Sequence, residues 1–303
     1  MAIGIDPLVD FACKQLLGNP EHPAITLHFL NAVLGGSPQI TDVTVLNPIV
    51  EKEFEDDKYA ILDVRARDVD GHRFNIEIQR SLPTALRERL TYYAATQLVE
   101  QLSAGQGYES LQPSIGICIL DAVIFGQVND VHLDFRLIDA KHGVTLTEHL
   151  QIHLLELPKY VLLSHNAIIT DPIEQWCYFF TRARTLTAEE IMQRLPHPVF
   201  SESAGVLKMI ARDPDQRRLY EARLKVERDA RAKLDFARQE GREEGREQGR
   251  QEGRQQGEAV GKVKVLRDLL DETSPTDDEL QASTLEQLAS LESEFQRRLR
   301  KRG

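Results

Sequence analysis

The sequence predicts an α/β domain with a helical C-terminal extension, and three observations carry that reading. Residues 61–79 alternate in polarity on either side of Val69-Asp70-Gly71-His72, whose Asp-Gly step signals a tight antiparallel hairpin. Residues 114–123 form a continuous apolar run between Pro113 and Gly126, the pattern of a central strand buried on both faces. From Gly241 onward a glycine recurs every fourth residue in an almost wholly polar stretch, which has no apolar face with which to build a core.

The elements follow in chain order. Residues 8–17 and 23–34 carry apolar residues at helical spacing, with Gly18-Asn19-Pro20 and Gly35-Gly36-Ser37-Pro38 as stops. A first strand is expected over 42–46, and the hairpin comes next. Residues 82–102 read as a long helix, begun after Ser81 with Pro83 in its first turn and ended at Gly105. After the central strand, the alternating stretch 131–138 reads as an outer strand. Helices are expected around 150–155 and 173–183, and in the second of these Trp176, Phe179 and Phe180 are assigned to the core. On this reading the chain divides into a globular domain over 1–200, a polar helical or linker segment over 201–264 and a small helical segment over 265–303.

Composition narrows the function classes. With 41% hydrophobic and 28% charged residues, the chain can bury a substantial core and is not disordered throughout. The absence of a charged leader and of any apolar run of about 20 residues predicts a cytoplasmic protein that does not enter a membrane. Cys13, Cys118 and Cys177 lack Cys-x-x-Cys spacing, which excludes an obvious zinc site or disulfide framework and leaves them as packing residues. His22, His28, His72, His132, His149 and His153 are scattered; the helix expected around 150–155 sets His149 and His153 one turn apart but supplies no third ligand.

The net charge of −11 argues against unaided binding to nucleic acid, because affinity for a phosphate backbone comes largely from Lys and Arg. The acidity is uneven: residues 1–200 hold 15 Lys and Arg against 26 Asp and Glu, whereas residues 201–303 hold 22 of each. Arg80, Arg87 and Arg89, with Tyr92 and Tyr93, form the best basic patch in the acidic part.

The hairpin also carries the candidate chemistry. Asp63 and Glu77 lie on strands joined by the turn and can face each other. Side chains on a strand repeat every two residues, so Glu77 and Gln79 share a face while Ile76, Ile78 and Arg80 take the other. An acid in so apolar a strand costs several kcal/mol unless it is paired, protonated or bound to a metal. Two carboxylates on adjacent strands are hard oxygen ligands of the kind that hold Mg²⁺ while leaving it water for phosphodiester hydrolysis. The plainer reading is an acid-turn-acid hairpin on a solvated edge.

This stretch resembles the PD-(D/E)XK nuclease superfamily, whose pattern is an Asp followed by Glu-x-Lys on the next strand. Ile76-Glu77-Ile78-Gln79 is similar to the form found in its branch of recombination-promoting nucleases and proteins labelled transposases, where Gln is typical at the Lys position. The likeness extends through residues 9–18 and 58–64 before the hairpin. After it come Arg89-Leu90-Thr91-Tyr92-Tyr93, residues 105–113, Glu156-Leu157-Pro158-Lys159-Tyr160 and residues 171–176, so that roughly 9–180 is covered. The resemblance implies a restriction-endonuclease-like core, a mixed central sheet flanked by helices, with a nuclease-like domain over 1–200. It places the catalytic residues at Asp63, Glu77 and Gln79 and the metal ligands at Asp63, Glu77 and Asp10, with Mg²⁺ or Mn²⁺ as cofactor and DNA as partner. The activity implied is DNA cleavage of low sequence specificity, in recombination or on mobile DNA.

One departure from the wider superfamily matters. Gln79 is neutral, so it can orient a water or a phosphate oxygen but cannot supply the charge of a Lys. Lys58, Arg87 and Arg89 are the nearby cations that can make up the deficit. The alternative from a different class is a nuclease-like DNA-binding or oligomerising scaffold with little or no catalysis. Strand joining of the integrase type is disfavoured, since no separate Asp, Asp, Glu pattern is present.

In the tail, Gly241, Gly245, Gly249, Gly253, Gly257 and Gly261 mark a four-residue repeat, and Arg242, Arg246, Arg250 and Arg254 keep the same beat. A period of four on a helix drifts by about 40° per repeat and winds the glycines into a slow stripe. Each glycine costs about 1 kcal/mol against Ala, so the segment is either a flexible linker or a helix that self-associates through its small-residue face into a homo-oligomer. Residues 263–270 and 280–299, with Leu285, Leu288 and Leu291, read as a small helical cap.

Overall fold

A computed structural model describes residues 1–36, 39–46, 64–103, 105–161 and 167–302. The strands are β1 (Val43–Val45), β2 (Val64–Asp68), β3 (Arg73–Gln79), β4 (Ser114–Leu120), β5 (His132–Asp139) and β6 (Val144–Glu156). The helices are α1 (Asp10–Leu17), α2 (Pro23–Leu34), α3 (Leu86–Val99), α4 (Pro172–Arg182), α5 (Ala188–Arg194), α6 (Pro198–Arg212), α7 (Pro214–Leu269), α8 (Asp277–Ala282) and α9 (Leu285–Arg302). Two units divide the chain, Met1–Arg228 and Asp229–Gly303.

In the first unit the described strands form one sheet of order β1-β2-β3-β4-β6-β5. The sheet is mixed: β3 and β4 run parallel, as do β4 and β6, while β1-β2, β2-β3 and β5-β6 are antiparallel. The predicted hairpin is β2-β3, and Gly71 takes φ 88° at its turn, a conformation in which a side chain would be strained. β4 is buried at every residue, as its unbroken apolar sequence requires for a strand covered on both faces. The sheet is restriction-endonuclease-like, an open mixed α/β arrangement flanked by helices.

The alternation of β4 separates two cores. Ile115, Ile117 and Ile119 face the larger one with Phe74 and Ile76 of β3, the buried residues of α1 and α2, and the aromatic group Phe29, Trp176, Phe179, Phe180 and Phe200. Cys118 and Leu120 face the opposite way, against Leu86 and Leu90 of α3 and Leu154 of β6. Cys13, Cys118 and Cys177 are buried free thiols that fill these cores. The face of β3 bearing Asn75, Glu77 and Gln79 is therefore the α3 face.

Two expected elements differ. Residues 150–155 are strand, not helix: β6 pairs in parallel with β4 from Leu150↔Ser114 to Glu156↔Leu120. A short apolar run fits both periods, and the pairing that decides the matter lies over 30 residues away in sequence. The helix expected from 82 begins four residues later, at Leu86, because Ala85 adopts φ 58°, outside the right-handed helical region.

In the second unit, Val260, Val263, Leu270, Leu280, Leu288 and Phe295 form a small apolar cluster that joins the end of α7 to α8 and α9. α8 begins with a capping box, in which Thr276 and Glu279 satisfy each other's backbone N–H groups. The repeat glycines lie within α7, and a Cβ added at any of the six would meet nothing within 4 Å.

Candidate active site

Glu77 lies opposite Cys118 of β4 and is 1% exposed. Its carboxylate is flanked along the strand by two amides: Asn75 Nδ2 stands 3.4 Å from Oε1, and Gln79 Nε2 stands 3.5 Å from Oε2. The period-two spacing of β3 brings these three side chains together, as the sequence pattern predicts. From above, α3 adds a cation, with Arg89 Nη2 3.7 Å from Glu77 Oε2. Burial of Leu86 and Leu90 under α3 sets the helix on this face and turns Arg89 toward the strand. The Nε and Nη2 groups of Arg89 are buried and have no hydrogen-bond acceptor.

Asp63 and Lys58 lie outside the described residues. The β2-β3 register is described as far as Val64↔Ile76. Asp10 opens α1, whose buried residues belong to the core on the Ile76 face, and its backbone N–H donates to Glu227 Oε1 at 3.3 Å. Glu227 Oε2 in turn pairs with Arg80 at 3.1 Å, and Arg80 also holds Asp6 at 3.1 Å. Burial raises the Glu227 pKa, and the Asp10 N–H and Arg80 oppose the shift. The start of α7 is thus tied to the end of β3. Sequence reasoning missed this link, because Glu227 lies in a polar run with nothing to mark one acid among many.

The expected basic patch is divided by the fold. Arg80 is committed to two carboxylates, and Arg89 faces Glu77. Arg87 and Tyr92 are exposed, and the Tyr92 ring packs edge-on against Tyr93 at 5.8 Å.

A second group of metal-capable side chains sits at the hairpin turn. Asp68, Asp70 and His72 each bring one ligand atom within 4.8 Å of the others. Asp68 is buried, accepts the His72 backbone N–H at 2.9 Å and approaches His72 Nδ1 at 2.6 Å, so the group also braces the turn. The Asp-x-Asp-x-His spacing was the available signal, although the Asp-Gly step within it reads first as turn chemistry.

His149 and His153 do not meet. On the extended β6 strand, four residues span about 13 Å. His149 instead approaches the Leu111 carbonyl at 3.1 Å, and His153 Nδ1 lies 3.0 Å from His132 Nε2 on β5, the two rings stacked. Burial lowers the pKa of both His132 and His153, that of His153 to about 4.

The open mixed sheet flanked by helices places the chain in the restriction-endonuclease-like fold class. The family model of PD-(D/E)XK nuclease family transposases matches residues 7–237, and the chain belongs to that family. No curated protein and no solved structure gives a significant match. No described helix is long and apolar enough to cross a membrane.

Proposed function

We propose that this chain is a Mg²⁺-dependent DNA endonuclease of low sequence specificity that acts in recombination or on mobile DNA. The observation that carries the reading is Glu77, a carboxylate 1% exposed on an inner strand, in the Ile-Glu-Ile-Gln stretch that resembles the family pattern. The donor set fits a hard divalent cation, because the Glu77 carboxylate and the side-chain oxygens of Asn75 and Gln79 are oxygen ligands on one face of the strand. Asp63 and Glu77 would hold Mg²⁺, or Mn²⁺ in its place, with Asp10 completing the set. The bound ion would lower the pKa of a water and offset charge developing on the phosphate. Gln79 then orients the water or a phosphate oxygen through its amide. Exposed Arg87 and Tyr92 suit phosphate contact and base stacking, neither of which reads sequence.

In this reading the nuclease domain over 1–200 carries the chemistry, and the glycine repeat within 201–264 assembles copies of the chain in the cytoplasm. The neutral Gln79 and the net charge of −11 favour a second reading, a DNA-binding or oligomerising scaffold with weak or no catalysis. Supercoiled plasmid incubated with Mg²⁺ separates the two, using wild type beside an Asp63→Ala, Glu77→Ala variant shown by circular dichroism to be folded. Cleavage by the wild type alone is expected. Absence of cleavage by both proteins with Mg²⁺ and Mn²⁺ would leave the scaffold reading, and cleavage by both would refute this assignment of the carboxylates.

A further inference from the structure

We infer that Arg89 is the cation that contacts the phosphodiester at this site, in place of the lysine that Gln79 does not provide; the inference rests on the nuclease reading above. Position is the first argument. Glu77 and Gln79 point to the face covered by α3, and Arg89 enters from that helix to within 3.7 Å of Glu77 Oε2.

The second argument is the state of its donors. A guanidinium that served only to neutralise a carboxylate would close on it with two parallel N–H···O bonds near 2.9 Å, the geometry that its planar fork favours. Arg89 does not do so. The approach is too long for a hydrogen bond, and both Nε and Nη2 are buried without an acceptor. A charged fork held open beside the candidate metal ligand is suited to a planar pair of anionic oxygens, which a phosphodiester presents through its two non-bridging atoms.

The third argument is elimination among the described arginines nearby. Arg80 is held by Asp6 and Glu227 at 3.1 Å each. Arg87 precedes Arg89 by two residues on α3, so it projects about 200° away around the helix and meets solvent. Nothing in the sequence distinguishes Arg89 from Arg87. Packing of Leu86 and Leu90 makes the choice.

The test uses the full chain and two readouts. One is plasmid nicking with Mg²⁺, and the other is fluorescence anisotropy of a labelled DNA duplex with Ca²⁺ across a salt series. Arg89→Gln should lower the nicking kcat by about 10²-fold to 10³-fold, the scale of losing one charge-stabilising donor, and Arg89→Lys should recover much of that loss. Arg89→Gln should also reduce the slope of log affinity against log salt by about 1, the signature of one lost phosphate contact that a structural role would not produce. Arg89→Met, similar in length and apolar, serves if the Gln variant is not folded by circular dichroism.

An unchanged salt slope overturns the inference whatever happens to nicking, as do equal losses in the Gln and Lys variants. A reduced slope in a protein that never nicks DNA upholds the phosphate contact while the nuclease reading fails. A wild type that neither nicks nor binds duplex overturns both.

Discussion

The His132-His153 pair predicts an acid-sensitive fold, and one substitution removes the His153 share of that sensitivity. His153 is 1% exposed, with Nδ1 3.0 Å from His132 Nε2 and Nε2 3.9 Å from Asp134 Oδ1. Burial holds its pKa near 4, Asp134 pulls it upward, and His132 and Arg136 push it further down. His132 is lowered in the same direction by burial, against Asp134 and Asp171. An unfolded histidine titrates near 6.5, so between 6.5 and about 4 the unfolded chain binds a proton that the folded chain refuses. Stability is therefore full above pH 6.5, declines as the pH falls, and levels off below about 4. Linkage sets the loss at about 2 kcal/mol by pH 5 and about 3 kcal/mol at the limit. His153→Gln keeps an amide that can hydrogen-bond to His132 but cannot take a proton. Melting curves of both proteins from pH 7.5 to 5 should show the wild type losing roughly 4–8 °C relative to the variant. Parallel curves would refute the reasoning, and a relative gain by the wild type in acid would mean that the Asp134 attraction outweighs burial.

Two further outcomes test the packing. A Cβ at Gly18 would stand 2.9 Å from Val64 Cγ2 and 3.0 Å from the Lys14 carbonyl, so Gly18→Ala should cost about 1–3 kcal/mol in urea unfolding. An unchanged midpoint would show that α1 and β2 do not approach so closely. Gly249→Ala meets nothing within 4 Å and should strengthen α7 by up to about 1 kcal/mol, read as higher ellipticity at 222 nm. A fall in ellipticity together with a smaller particle by light scattering would instead identify the glycine face as a seam between copies.

The hairpin was legible because its signals are local: Asp70-Gly71 states the turn, and period-two alternation puts Glu77 with Gln79. β4 was legible because a strand covered on both faces leaves an unbroken apolar run. β6 was not, since Leu150-Gln151-Ile152-His153-Leu154-Leu155 suits either period and its strand state is decided by pairing with β4 and β5. The early start expected for α3 has the same origin. Ser81 and Pro83 are good opening signals, but the buried seats of Leu86 and Leu90 determine where the helix must lie. His132 with His153, and Arg80 with Glu227, are 21 and 147 residues apart, and no spacing rule links them.

The same distances explain why counting charges along the chain misjudges the site. The arginines of the acidic part look like a reserve against an excess of carboxylates, yet most that the fold brings near acids are consumed by them. Arg80 closes on Asp6 and Glu227, and Arg136 closes on Asp134 and Glu148. Such pairs fix the helices and the edge hairpin but lend little positive field to a ligand, because each cation is already screened by its partners. A nucleic acid approaching this chain would therefore gain little from Arg80 and Arg136. Affinity would then depend on position more than on number, on whether one guanidinium stands beside the acid proposed to hold the metal. On the proposed reading an arginine on the helix does the work of a lysine that the strand does not carry, and no motif written along a single strand would reveal it.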